Sequence, residues 1–296
     1  MDATLTAIIK QLNQVILDKE HQIKLAMACL LAKGHLLIED LPGMGKTTLS
    51  HALANVLGLQ YQRIQFTSDL LPADILGGSV FEQRTTGGAF VFHKGPIFVQ
   101  VVLADEINRA TPKTQSALLE AMEEHQVSVD GHTYALPEPF FVIATQNPTT
   151  QSGTFNLPES QLDRFLMRIQ LGYPSKQGER ALLKGEQIST SKVEPLMTAA
   201  QLAGYQDKVA SVIASESLID YVQNLVHETR TRGDVVAGLS PRGSLALLNG
   251  AKAWALLHGR DHVLPDDVQQ IFPSVVEHRL AAGSIADDIL ATVPVI

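Results

Sequence analysis

Two hydrophobic periods run through this chain, and only one of them continues past residue 174. Leu5, Ile8, Ile9, Leu12, Val15 and Ile16 recur every three to four residues, which predicts an amphipathic helix; a second is predicted over 19–32, ending near Gly34. Apolar runs over 35–38, 99–104 and 140–145 have the length of buried strands, and 61–66 alternates as a strand does. Helices are predicted over 47–59 and 111–124, the second with Thr111 as its cap and Pro112 at its first position. Residues 67–78 read as loop and short helix, broken by Pro72 and by Gly77-Gly78. Two hairpins are expected. One joins Val80-Phe81 to 89–92 through Thr85-Thr86-Gly87-Gly88, and the other spans 126–136 around Asp130-Gly131. A last short strand is placed over 168–171.

Strands alternating with helices predict an α/β fold, a parallel sheet sandwiched by helices. Beyond Pro174 only the helical period remains, over 178–188, 199–214, 216–230, 241–258 and 265–276, with 190–198 reading as a connection. The expected organisation is an α/β core over 1–175, a linker over 176–198 and a small all-α domain over 199–296.

Composition narrows the function classes. A hydrophobic content of 45% with 18% charged residues fits a globular protein with ample core. A formal net charge of −8 argues against a nonspecific grip on nucleic acid or an anionic membrane. Cys29 stands alone, so no disulfide framework is expected and a buried thiol is. The first residues carry Asp2 and Lys10 and lack the apolar core of a signal peptide, and no run approaches the ~20 apolar residues of a membrane span. A cytoplasmic location is the expectation.

The candidate chemistry begins where the strand over 35–38 meets the helix over 47–59. The stretch Asp40-Leu41-Pro42-Gly43-Met44-Gly45-Lys46-Thr47-Thr48 lies between them, the strand–loop–helix context of a phosphate-binding loop. Gly43 and Gly45 let backbone N–H groups turn inward around a polyphosphate, Lys46 would reach the β- and γ-phosphates, and the Thr47 hydroxyl would hold Mg²⁺. Asp40 departs from the glycine that the G-x-x-x-x-G-K-[ST] pattern asks for. Asp105 and Glu106 end the strand over 99–104, at the sheet edge where ligands sit in open α/β folds. There Asp105 would bind Mg²⁺, directly or through water, while Glu106 orients and deprotonates an attacking water. Asn147 follows the strand over 140–145, where its amide either touches the γ-phosphate and the water or caps a turn before Pro148. Arg164 and Arg242 are the cations available to neutralise transferred charge, or else surface salt-bridge partners.

These runs, with Ala104-Asp105-Glu106-Ile107-Asn108-Arg109-Ala110, Ala144-Thr145-Gln146-Asn147-Pro148 and Leu157-Pro158-Glu159-Ser160-Gln161-Leu162-Asp163-Arg164-Phe165, follow one another in an order that resembles the MoxR family of AAA+ ATPases. The resemblance covers about residues 12–280, and Gly259 to Val268 resembles that family's lid. It implies an AAA+ P-loop core with two β-hairpin inserts and an all-α lid. Lys46 and Thr47 take the Walker A role, Asp105 and Glu106 the Walker B role, and Asn147 that of sensor 1. Arg164 would be an arginine finger, with Arg168 the second choice, and Arg242 would be sensor 2, acting in cis or in trans. It further implies ATP and Mg²⁺, a hexameric ring of identical subunits with both hairpins facing its pore, and a chaperone-like remodeller of client complexes, metal-cofactor insertion among the roles. A von Willebrand factor A domain protein is the implied partner.

A DNA-handling motor is the competing reading, but 126–136 holds no Lys or Arg and the first hairpin little beyond Arg84 and Lys94. A small-molecule kinase leaves Glu106, Asn147, Arg164 and the helical domain without a purpose. The histidines show no metal-ligand spacing. Trp254 is expected in the core, and Tyr134 as a cross-hairpin neighbour.

Overall fold

The computed structural model describes residues 2–84, 87–147, 153–235, 237–280 and 285–295. The chain opens with α1 (Ala3–Val15) and α2 (Glu20–Leu31), then β1 (His35–Glu39), α3 (Lys46–Val56) and β2 (Tyr61–Gln65). Next come α4 (Pro72–Leu76), β3 (Gly77–Arg84), β4 (Gly87–Lys94), β5 (Val101–Asp105), α5 (Pro112–Glu124), β6 (Gln126–Val129), β7 (His132–Ala135) and β8 (Phe141–Gln146). The short α6 (Glu159–Leu162) leads into β9 (Phe165–Ile169) and α7 (Lys176–Leu183). The remainder is helical: α8 (Ala199–Ser211), α9 (Glu216–Thr231), α10 (Pro241–Leu257), α11 (Pro265–Leu280) and α12 (Ala286–Thr292).

The described residues form a five-stranded parallel sheet in the order β2-β5-β8-β1-β9. Its central strands are apolar on both faces because both faces are covered. Leu36, Ile38, Val101, Leu103, Phe141 and Ile143 point into one cluster, and the alternating Leu37, Val102, Ala104, Val142 and Ala144 into the other. The first cluster continues without a break through α1, α2 and α3 into the helices after residue 199, where Tyr221, Trp254 and Phe272 are buried. Trp254 is a core residue, as expected, with its ring edge-on to His21 at 5.5 Å.

Both hairpins form. Asp130 and Gly131 take φ of 51° and 77°, the positive pair a tight two-residue turn requires. Thr85 and Thr86, expected in the first turn, lie outside the described residues. Tyr134 pairs across its hairpin with Val127 and also stacks on Phe92 of the other hairpin, centroids 4.0 Å apart and planes 16° apart, so an aromatic contact joins the two inserts.

Several boundaries differ from expectation. β9 starts at Phe165 rather than at 168, and α7 stops at Leu183 because Gly185 turns the chain with a φ of 71°. The helix predicted to end at 276 runs to Leu280, past Pro273. Thr111 is the N-cap of α5, yet its hydroxyl faces the Thr114 hydroxyl at 3.2 Å and not a backbone N–H.

Candidate active site

β1 carries the chain to the C-terminal edge of the sheet, beside the reversal in strand order between β8 and β9, the crevice that open α/β sheets use for ligands. Gly43 and Gly45 have φ of 84° and 88°. A Cβ at Gly43 would meet nothing within 4 Å and one at Gly45 only Ile16 Cδ1 at 3.8 Å, so backbone angle and not crowding requires glycine here. Asp40 stands at an ordinary φ, which is why glycine is dispensable there. Its carboxylate accepts from Leu41 N at 2.9 Å and from Gly172 N at 2.6 Å, fastening the start of the loop to the turn after β9.

Lys46 begins α3, behind a Gly45 that offers no capping side chain, and Thr47 and Thr48 share its first turn, whose N–H groups have no intrahelical acceptor. The Lys46 ammonium is buried. It donates to the Asp40 carbonyl, to Asn147 Oδ1 at 2.9 Å and to the Gln146 carbonyl at 3.5 Å, and no ion pair holds it among the described residues. Burial lowers its pKa from the ordinary lysine value, opposed by the more distant charges of Asp40, Asp105, Glu106 and Glu39. A buried cation on neutral acceptors is a place for an anion.

Asp105 and Glu106 stand at the end of β5. Thr145 Oγ1 donates to Asp105 Oδ1 at 2.6 Å and itself accepts from Glu106 N at 2.8 Å, so one β8 hydroxyl fixes both acids. Glu106 sits in the left-handed region, φ 57° and ψ 48°, which turns its carboxylate out of the strand line. One oxygen accepts from Asn147 Nδ2 at 3.0 Å, and the other accepts from Gln65 Nε2 at 3.0 Å and Arg109 Nη1 at 2.9 Å. Asn147 thus lies between Lys46 and Glu106, and Asn108 Nδ2 donates to its carbonyl at 3.2 Å.

Residues not singled out from the sequence complete this edge. Arg63 grips Asp105 Oδ2 through Nε at 2.9 Å and Nη2 at 2.6 Å. Arg63 and Gln65 lie two apart on β2, the spacing that places side chains on one face, and that period was the available signal. Thr145 was in plain view beside Asn147.

The three arginines divide. Arg164 and Arg242 come together at the other end of the strands: Arg164 Nη2 lies 3.0 Å from Glu123 Oε2, and Arg242 Nη2 pairs with the other oxygen of the same carboxylate. They line a cavity of about 330 Å³ with Lys33, Gly34 and His35, at the start of β1, whereas Lys46 follows its end. Neither arginine bonds to Lys46, Thr47, Asp105 or Glu106. Arg168 is held within the chain, 2.7 Å from Glu39 Oε2 and 3.1 Å from Glu277 Oε2, tying β1 and β9 to α11.

The oxygen-rich edge suits Mg²⁺, a hard cation bound through one or two protein oxygens plus phosphate oxygens and water. Thr47 and Asp105 are the candidates, and both Asp105 oxygens already accept hydrogen bonds, which favours contact through water.

Residues 35–167 match a family model described as the ATPase family associated with various cellular activities (AAA), and residues 227–293 match the AAA lid domain. The chain is 38% identical over 297 residues to chaperone MoxR1 of Mycobacterium tuberculosis, covering 97% of this chain and 78% of that one. The chain belongs to the MoxR family of AAA+ ATPases. It is also 48% identical to the uncharacterized protein YeaC of Bacillus subtilis, over 92% of this chain and 85% of that one. The crystal structure of a putative ATPase from Cytophaga hutchinsonii superposes with a TM-score of 0.88 at 34% identity, covering 99% of this chain and 95% of the other. A full-length MCM homolog from Methanopyrus kandleri, at 17% identity and a TM-score of 0.61, shares the fold alone. As a MoxR-family member the chain is an ATP-hydrolysing enzyme, with an AAA+ α/β core and a helical lid. No described helix is long and apolar enough to cross a membrane.

Proposed function

We propose that this MoxR-family ATPase remodels client protein complexes by turning over Mg-ATP in a ring whose sites are shared between neighbouring subunits. Lys46 and the loop over 40–48 hold the phosphates, and Thr47 and Asp105 hold Mg²⁺. Bound there, the metal would supply charge neutralisation to the phosphates. Glu106 takes the proton of the attacking water, Asn147 orients that water against the γ-phosphate, and Arg164 and Arg242 reach the site of the next subunit.

One observation carries this reading: the Arg164–Glu123–Arg242 group lies at the opposite end of β1 from Lys46. A five-residue strand spans about 16 Å, too far for either guanidinium to touch its own γ-phosphate, so Arg242 is read as acting in trans beside Arg164. The core over 1–175 and lid over 199–296 would then change angle with nucleotide state and pass that movement to a client, metal-cofactor insertion being one such task. A von Willebrand factor A domain protein is the proposed adaptor, a six-membered ring the proposed assembly, and the cytoplasm the proposed compartment.

The decisive experiment follows ATP hydrolysis per subunit across a dilution series. Shared sites predict specific activity that collapses on dilution and is restored by adding hydrolysis-dead Glu106→Gln subunits. Activity independent of concentration overturns shared sites. Capture of proteins from native lysate on ATP-loaded Glu106→Gln protein then identifies clients; nuclease-sensitive DNA partners alone would overturn the remodeller reading.

A further inference from the structure

Glu123 has no role in the reaction as described above, yet it is the residue on which both distant arginines converge. It lies in the last turn of α5, where its two carboxylate oxygens divide between Arg164 and Arg242. Arg164 comes from the loop between α6 and β9, and Arg242 from the first turn of α10. Asp163 strengthens the junction, accepting from Ser240 Oγ, the cap of α10, at 3.0 Å and from Arg279 Nε at 2.7 Å.

Two guanidiniums side by side repel each other, and a carboxylate between them makes the pairing stable. The group still carries a net positive charge. Around the cavity Arg164, Arg242 and Arg279 face the carboxylates Glu123 and Asp163, an excess of cations in a chain whose net charge is −8, while Lys33 at its rim pairs with Asp207. Each arginine spends its Nη2 on Glu123, and the guanidinium fork of each, half-exposed in Arg242 and partly exposed in Arg164, keeps further N–H donors. Glu123 therefore leaves donors for an incoming anion and fixes where those donors lie.

We infer that Glu123 is a positioning residue for hydrolysis: it brackets Arg164 and Arg242 into one two-pronged cation that docks on the terminal phosphate of the neighbouring subunit's ATP. The inference rests on the shared-site reading, and its test keeps the two apart. A guanidinium displaced by about 1 Å costs on the order of a hundredfold in rate. Glu123→Ala is accordingly expected to lower kcat by about tenfold to a hundredfold with little change in KM for ATP. Glu123→Gln, whose amide offers one acceptor oxygen in place of two, should fall between Ala and wild type, and it carries the same test should Ala fail to fold. In an Arg164→Ala, Arg242→Ala background the Glu123 change should cost nothing further.

Mixing gives the readout that a merely structural role would not move. Glu123→Ala subunits keep an intact Glu106, and Glu106→Gln subunits keep an intact arginine bracket. Mixed at fixed total concentration, the two should exceed the sum of their separate activities. A mixture no better than that sum, or Glu123 variants at wild-type turnover while Arg164→Ala is impaired, overturns the bracket and leaves shared sites standing. Wild-type turnover in Arg164→Ala and Arg242→Ala alike would overturn the shared-site reading, and the bracket with it.

Discussion

The two ends of one amide connect Lys46 to Glu106: Asn147 Oδ1 accepts from the lysine ammonium at 2.9 Å, and Asn147 Nδ2 donates to the glutamate at 3.0 Å. A phosphate on the lysine and a water on the glutamate would meet across this side chain. Asn147→Ala is expected to keep nucleotide affinity within a few-fold and to cut turnover by about a hundredfold to a thousandfold, the cost of removing one preorganised donor. Calorimetric binding and steady-state hydrolysis separate the two effects; a loss confined to affinity would remove Asn147 from the chemistry.

Lys46→Ala acts on the other side of that bridge. The ammonium has neutral acceptors and no paired carboxylate among the described residues, so its charge is available to phosphate. ATP affinity should fall by at least tenfold. Unchanged ATP binding by calorimetry would sink the Walker A assignment.

The parts of this site that were legible in the sequence are those fixed by local spacing. β1, β5 and β8 announce themselves because both faces are buried, and Lys46, Asp105, Glu106 and Asn147 sit at their C-terminal ends, where parallel sheets collect function. What the chain does not show locally are long-range partners. Nothing near Glu123 points to arginines 41 and 119 residues away. The last turn of α11 reads as too polar for a buried helix, yet His278 donates to the Phe165 carbonyl and Arg279 to Asp163 and Phe165, so tertiary partners carry the helix to Leu280. α12 went unpredicted, its seven residues being too short for a helical period to emerge.

Arg164 and Arg168 are four residues apart and are expected to fail differently. Arg164→Ala removes a cation from the proposed trans face and should reduce turnover several hundred-fold or more, on the scale of other arginine fingers, with nucleotide binding intact. Arg168→Ala removes the cation held between Glu39 and Glu277, so it should lower stability by about 1–3 kcal/mol, between the values for exposed and fully buried pairs. Thermal melts and single-turnover hydrolysis of both variants distinguish them. A stable Arg168→Ala protein with the larger hydrolysis defect would make Arg168 the finger.

His35 sets an acid limit on the fold. Its Nδ1 accepts from Val142 N at 3.0 Å and its Nε2 lies 3.3 Å from the Met122 carbonyl, so the buried ring uses both nitrogens in its neutral form. A proton added at Nδ1 would displace the Val142 bond. Burial accordingly brings the pKa from 6.5 to about 4, and burial also pushes His278 well below its ordinary value. Because the folded pKa lies below the unfolded one, the unfolded chain takes up protons first as pH drops. Stability is full above about pH 6.5, falls between there and about pH 4 and then levels for this residue, His35 accounting for about 2 kcal/mol by pH 5. Urea denaturation at pH 7.5 and pH 5 should show that loss with His278 adding to it, whereas equal midpoints at the two pH values would mean that neither ring is held neutral by the fold.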